Sequence, residues 1–287
     1  MPRPHRKKFV RGDTRDPLKL TSRDDALLRD IAEYRFLNTE QLVALHEGSA
    51  RNIANRLGSL FRHGYIDRPK VQKSARLSPP HLVYSLDRKG ADYLFGKPEE
   101  REWILRRVGE IKKSLPLIAH ALMISQFRVC LTLALKNRTD IKLIRWIQGN
   151  DLRTALKTRG QHPSLVADAY FVLDTPTRQY PCFLETDRAT MTEARYVSKL
   201  KNYWRHNREK LFKESLGIEH FRVLTVTPNE GRAKNLCLAS KEANDTRTGS
   251  WVFIFASETR FNLKNPDELL GPMWQCPKDD LPHSIVE

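Results

Sequence analysis

The chain has few cysteines and none in pairs. Cys130, Cys182, Cys237 and Cys276 stand far apart and form no CxxC motif, which argues against zinc ligation and against a disulfide framework. Cys130 and Cys182 lie in apolar runs and read as buried, reduced thiols, which points to the cytoplasm. No apolar run approaches the roughly 20 residues expected of a bilayer-spanning helix, so no membrane is implied. The opening MPRPHRKKFVR is basic but lacks the apolar stretch of a secretory signal. It reads as a flexible arm over 1–17, either lying on DNA phosphates or simply solubilising. No internal repeat is visible. Acidic residues are outnumbered: 34 Asp plus Glu against 50 Lys plus Arg give a formal net charge of +16. That excess favours a polyanionic partner, with nucleic acid first. At 287 residues the chain is long enough for two modest domains.

The first half is helical and then extended. Thr21 and Ser22 are small hydroxyl residues that cap a helix, and Asp24 and Asp25 fill its first turn. Leu27, Leu28, Ile31 and Ala32 follow at helical spacing. Asn38 and Thr39 open a second, short helix. Ser49 caps a third, whose stripe is Ile53, Leu57, Leu60 and Phe61. The opposite face of that third helix carries Arg51, Asn52, Asn55, Arg56 and Arg62. Gly64 ends it, Tyr65–Arg68 reads as a strand, and a basic loop over Pro69–Pro80 carries Lys70, Lys73 and Arg76. His81–Leu86 reads as the returning strand. Three helices and a two-stranded wing make a winged helix-turn-helix over 18–96. Its third helix suits the major groove of double-stranded DNA, and its wing suits the phosphates. Protein contact is the competing use of such a fold. Residues 97–110 read as a linker.

The second half alternates helices and strands. A mostly apolar helix runs over Leu115–Leu135, with Pro116 in its first turn. Strand-like runs follow at Ile141–Gln148, Val166–Leu173, Tyr180–Glu185, Phe221–Thr227 and Trp251–Ala256. Pro181 weakens the third of these, because proline cannot donate to a ladder. Helices are expected over Thr192–Leu216 and Glu230–Ala239. The order gives a mixed α/β layer over 111–260, with an irregular, proline-rich tail over 261–287.

Within this half, Val166–Arg188 is the stretch richest in chemistry. Two strands flanking the turn at Asp174, Pro176 and Thr177 bring Asp168 close to Glu185. Asp187 joins Glu185 on one face if the strand continues. Carboxylates held so close repel, and a cation between them is the usual remedy. In a basic protein that cation is expected to be Mg²⁺ or Mn²⁺ poised over a phosphodiester, with Asp168, Glu185 and Asp187 as ligands. The bland alternative is that these acids pair with arginine or cap turns.

The strand order, with an Asp near the start of one strand and Glu-x-Asp ending the next, resembles the PD-(D/E)xK nuclease core. Ala167 stands where that core has proline, and Asp187 where it has lysine. Lys199 and Lys201, on the following helix, are candidates to replace the lysine and to stabilise phosphate charge, as is Arg188. The combination is more specific. LTSRDDALLRDIAEYRFLNTEQLVAL (20–45) precedes HALMISQFRVCLTLAL (120–135), then DAYFVL, FLETDRATM, KLKNYW and FRVLTVTPNEGRAKNL. Together these resemble the replication-relaxation family of bacterial plasmids and mobile elements, in the neighbourhood of the MobC-type relaxases. The resemblance implies a role in plasmid replication control or conjugative DNA processing.

The expected function is therefore a sequence-preferring DNA-binding protein with a metal-dependent, nickase-like domain. A non-catalytic regulator of plasmid replication or transfer is the alternative, and an adaptor that contacts other replication or transfer proteins is a third. A relaxase could also link covalently to DNA through tyrosine. Tyr196 and Tyr203 are the candidates, with a core role favoured for both. His120, alone on an apolar helix, reads first as a hydrogen-bonded core residue and second as a support for the site. Thr190 reads as a cap for the helix that follows.

Overall fold

The computed structural model describes residues 8–11, 17–73, 82–111, 114–157, 165–244 and 247–287. It is a mixed α/β structure in two units, 1–126 and 127–287.

In the first unit, local caps set the helices. The hydroxyl of Thr21 accepts from the Asp24 amide while the Asp24 carboxylate accepts from the Thr21 amide. This reciprocal box starts α1 (Ser22–Tyr34) and satisfies amides that no helical carbonyl reaches. After β1 (Leu37–Asn38), Asn38 and Gln41 repeat the device at α2 (Thr39–Leu45). Ser49 caps α3 (Ala50–Arg62), which buries Ile53, Leu57, Leu60 and Phe61. Then come β2 (Ile66–Asp67) and β3 (Val83–Leu86). The three strands form an antiparallel sheet in the order β1-β3-β2. β1 escapes sequence reading because two residues are too few to display a period.

The chain continues with α4 (Arg88–Leu94) and α5 (Pro98–Ile111). A Cβ on Gly90 would lie 2.2 Å from the Tyr65 carbonyl oxygen, so α4 can approach the turn before β2 only with glycine there. The segment expected as a linker, 97–110, is helical and packs against α4 and β3. Residues 8–11, expected within a flexible arm, are docked: Arg68 donates to the Lys8 carbonyl at 2.7 Å, and Arg11 pairs with Asp87.

The division between units falls inside α6 (Leu115–Leu135). By length and composition this helix could cross a membrane, contrary to the expectation that no run comes near that length. Half of its most apolar window is buried within the protein, however. It also carries the buried polar residues Ser125 and Arg128, as a core helix of an α/β protein does. Leu117, in its first turn, is half exposed.

The second unit is a seven-stranded sheet. Its elements are β4 (Lys142–Gln148), α7 (Asn150–Ala155), β5 (Ala169–Asp174), β6 (Gln179–Thr186), α8 (Glu193–Arg208), α9 (Leu211–Leu216), β7 (Arg222–Thr227), α10 (Glu230–Ala239), β8 (Phe253–Ser257), β9 (Trp274–Gln275) and β10 (Pro282–His283). The strand order is β10-β9-β8-β7-β6-β5-β4. β4, β5 and β6 pair antiparallel, while β6, β7 and β8 pair parallel through crossover helices. Both faces are covered. On one, Phe183 packs with Tyr203, Phe212 and Phe221 beneath α8 and α9. On the other, Phe127 of α6 meets Phe171, Trp146 and Trp274.

Three local features depart from the sequence reading. Pro181 is tolerated because it pairs with Val172 on β5, whereas β7 joins β6 only from Cys182 onward; its missing donor falls where the strand is still an edge. The single helix expected over Thr192–Leu216 is two, broken where Lys210 takes a left-handed φ of 59°. The tail expected to be irregular adds β9 and β10 to the sheet and buries Trp274 and Ile285 completely.

Candidate functional site

The β5–β6 hairpin builds the centre of the site. Ala169 lies opposite Leu184, and the Asp168 amide donates to the Leu184 carbonyl at 3.2 Å. This register puts Asp168, just ahead of β5, beside the end of β6. The Thr186 amide and hydroxyl donate to Asp168 Oδ2 at 2.7 and 2.8 Å, fixing that carboxylate. Glu185, between Leu184 and Thr186, is 2% exposed.

Helix α8 completes the centre. Thr192 caps it, accepting from the Arg195 amide; Thr190, the expected cap, lies outside and is exposed. Tyr196, Lys199 and Tyr203 recur at helical spacing and so share one face. Lys199 Nζ donates to Glu185 Oε2, and the Tyr203 hydroxyl donates to Oε1 at 2.5 Å. Tyr196 shares a hydrogen bond with the Thr225 hydroxyl at 2.5 Å.

Burial governs the protonation of this group. It raises the Glu185 carboxyl to about 7, outweighing the pull of the Lys199 ammonium, and the Asp168 charge adds to the rise. Burial alone would lower Lys199, but Glu185 and then Asp168 lift it above its ordinary value. Both tyrosines sit well above theirs, first through burial and then through the Glu185 charge. Near neutral pH, therefore, Glu185 exchanges a proton while Lys199 keeps its charge and both phenols keep their hydrogens.

Asp187 takes another direction. β6 ends at Thr186, so the alternation that would carry Asp187 onto the face of Glu185 stops one residue short. Its amide donates to the Val226 carbonyl at 2.9 Å, and its carboxylate receives Arg232 Nε at 2.7 Å and the Ala189 amide at 3.1 Å. Arg232 also donates to the Met191 carbonyl at 2.6 Å. The expected three-carboxylate cluster does not form: among the described residues, no group of three or more His, Cys, Asp or Glu could hold a metal ion. Asp168 and Glu185 remain as the pair. Lys201, the other lysine candidate, is exposed and two residues round the helix from Lys199; Arg188 is half-buried.

The residues proposed to read DNA divide into two sets. Arg51, Asn52 and Asn55 are exposed on α3. Asn52 and Asn55 line an open groove of about 640 Å³ with Thr21, Arg23 and Arg56. Lys70 and Lys73 are exposed, with Lys73 Nζ 5.2 Å from the centre of the Phe9 ring. Arg56 is instead bound inward: its Nε meets Asp24 Oδ1 at 2.5 Å, and a terminal nitrogen donates to the Lys19 carbonyl at 2.7 Å. Arg62 is half-buried and donates to the Ser59 hydroxyl at 3.0 Å. Arg76 lies outside the described residues. His120 is half-buried and falls in the first unit.

Three contributors are not evident from sequence. From sequence Tyr203 reads as a nucleophile or a core residue; its place four residues after Lys199 is the signal that both reach one target. Thr186, adjacent to Glu185 and facing the opposite way, holds Asp168. Arg232 is 45 residues from Asp187, and nothing local announces that pair.

No curated protein and no solved structure matches the chain. The model of the replication-relaxation family matches residues 28–219, well over half of the 287 residues and a span that includes α3, Asp168, Glu185 and Lys199. The chain belongs to the replication-relaxation family.

Proposed function

We propose that this protein binds double-stranded DNA of a plasmid or mobile element and nicks it during replication, relaxation or transfer. The family supports the replication or relaxation theme. The order of three helices and a β1-β3-β2 sheet supports a winged helix in the first unit. Its α3 would present Arg51, Asn52 and Asn55 to base edges and phosphates, with Lys70 and Lys73 nearer the wing. Arg56 is removed from that set by its bond to Asp24. Four buried cysteines outside any disulfide support a reducing compartment such as the cytoplasm.

The observation that carries nicking is the lysine of α8 on the carboxylate of β6, beside Asp168. It supplies from a helix the cation that position 187 lacks in a PD-(D/E)xK-like domain. Asp168 and Glu185 would hold Mg²⁺ or Mn²⁺, because a hard cation that keeps several waters needs only one or two protein carboxylates. Such an ion supplies Lewis acidity and a more acidic bound water. The protein's own groups do the rest. Lys199 offsets negative charge on the phosphate. Glu185 would serve as a ligand only once it has lost its proton, so cation binding there competes with protonation. Thr186 keeps Asp168 oriented, and Arg232 keeps Asp187 out of the way.

A second reading, a DNA-binding regulator without catalysis, draws on a specific observation: both oxygens of Glu185 already accept from protein donors, and Asp187 is bound by Arg232. A covalent tyrosine draws no such support, since Tyr196 and Tyr203 are buried with raised pKa values. The deciding experiment uses supercoiled DNA carrying the gene's flanking sequence, with Mg²⁺ or Mn²⁺, and compares wild type with Glu185→Gln and Lys199→Met. Metal-dependent nicking lost in both variants supports the nickase. Tight binding with no nicking by wild type overturns it in favour of the regulator. Binding that is insensitive to salt would instead favour an adaptor of other transfer proteins.

A further inference from the structure

The outer face of α8 carries a second charged feature. Lys201, Arg205 and Arg208 recur at intervals of four and three, so they share one side of the helix. That side points away from the face of Lys199, because two residues turn the helix by roughly 200°. The three line an open groove of about 750 Å³ with Arg247, Trp204 and Glu242. Four cations thus meet one carboxylate, and none of the four makes a salt bridge among the described residues. Like charges gathered in excess of their counter-charge repel, and an anionic ligand relieves that repulsion.

The wall opposite α8 is firmly placed. Asn244 Nδ2 donates to the Gly249 carbonyl at 2.7 Å. Gly249 has φ +78° and lies against Pro277, whose carbonyl oxygen would be 2.6 Å from an added Cβ. Arg247 is held at φ +54°, a region that costs a non-glycine residue energy and that persists where surroundings impose it. Trp204 Nε1 is buried with no hydrogen-bond partner among the described residues.

We propose that this groove binds the phosphate backbone of one nucleic-acid strand, separately from α3 and from the Asp168–Glu185 centre. From Lys201 to Arg208 the helix rises about 10 Å, which equals the axial rise of about three nucleotides in duplex DNA at about 3.4 Å each. The ligand is therefore a run of phosphates, not a single anion. A free single strand and one strand of a duplex present the same chemistry, and the test uses both.

The experiment measures binding of fluorescein-labelled single-stranded and duplex DNA of mixed sequence by the full-length protein across a salt series. Lys201, Arg205, Arg208 and Arg247 are all replaced by Gln. A charge-matched control replaces the exposed Lys142, Lys234, Lys264 and Lys278 by Gln, and a third variant, Arg51→Ala with Asn55→Ala, alters α3. The groove variant is expected to bind about 10- to 100-fold more weakly near 150 mM salt. Its log–log salt slope should be shallower by about 2 to 3, at roughly 0.7–0.9 per lost phosphate contact. The control should change far less. Loss on the single strand, the duplex or both supports the groove and identifies its ligand. An unchanged slope with both probes, or equal losses in groove and control variants, overturns it. Failure of the α3 variant alone to weaken duplex binding counts against the winged-helix reading and leaves this result intact. Unchanged circular dichroism and melting temperature establish that the substituted surface still folds.

Discussion

Each unit buries a carboxylate beside a basic side chain, Asp24 with Arg56 in the first and Glu185 with Lys199 in the second, and these two carboxylates respond in opposite ways. Asp24 is wholly buried, yet its pKa lies below the ordinary value. Burial raises it, but the hydrogen bonds from Arg56 and from the Thr21 amide and hydroxyl outweigh that cost. Glu185 lies deeper in the protein, so burial weighs more heavily on it; it accepts from Lys199 and Tyr203 and has Asp168 as an acidic neighbour, and its pKa rises to about 7. The forked guanidinium meets both oxygens of Asp24, whereas an ammonium is a point charge that meets one. A buried acid that is fully solvated by protein donors becomes a fastener. One that is under-solvated becomes reactive near neutral pH, which is why the second pair is the functional candidate.

The largest break in this contrast is expected from Arg56→Ala. It leaves Asp24 buried without its cation, and removing one member of a buried pair costs about 3–5 kcal/mol; Arg56 is about a quarter exposed, so about 2–3 kcal/mol is expected. Urea denaturation measures it, and a loss under about 0.5 kcal/mol would show that the pair fastens nothing.

Next comes the pH dependence of Glu185→Gln. A carboxyl whose folded pKa is raised favours folding below its unfolded value of about 4.5 and loses that contribution as pH climbs through about 7. Wild type should therefore lose stability relative to the Gln variant between pH 5 and pH 8, by an amount on the order of 2 kcal/mol. Paired melts at the two pH values test this; a constant difference would contradict the raised pKa. Asp24→Asn should show the opposite trend, because a lowered carboxylate pKa stabilises the fold above about 3.8 and stops doing so in acid.

A sharper comparison substitutes Lys199→Arg. A forked donor in place of a point charge is expected to lower the Glu185 pKa and shift any pH–nicking profile to lower pH, readable as a displaced acidic limb. The smallest expected effects are those of Tyr203→Phe and Thr21→Ala, each about 1 kcal/mol in denaturation for a lost hydrogen bond or cap. Tyr203→Phe should also move Glu185 further upward, visible by carboxyl infrared titration.

What could be read from sequence follows the range of the forces involved. Thr21, Asn38 and Ser49 are recognisable as caps because a cap and its amides lie within three residues. The Asp168–Glu185 approach is legible because a hairpin converts alternation into register. The cation on Glu185 is half legible: Lys199 could be nominated with Lys201, but the helix phase that selects Lys199 depends on where Thr192 starts α8. Arg56 and Asp187 are illegible for one reason. Each looks like an exposed charge along its own element, and only a partner 32 or 45 residues away draws it inward. The tail joins the sheet for a similar reason: Trp274 finds a core that its proline-rich neighbours do not reveal.

Carrying the lysine on a helix rather than on the strand has a consequence for how this centre can drift. Along a strand, a shifted residue lands on the near face or the far face, with nothing between. Along α8, inserting a single alanine ahead of Lys199 would rotate the ammonium by about 100° and advance it by only 1.5 Å. The angular phase of one helix therefore acts as a dial between the sheet and the solvent groove, and small insertions or deletions between Thr192 and Lys199 would redirect the cation without dismantling the fold around it.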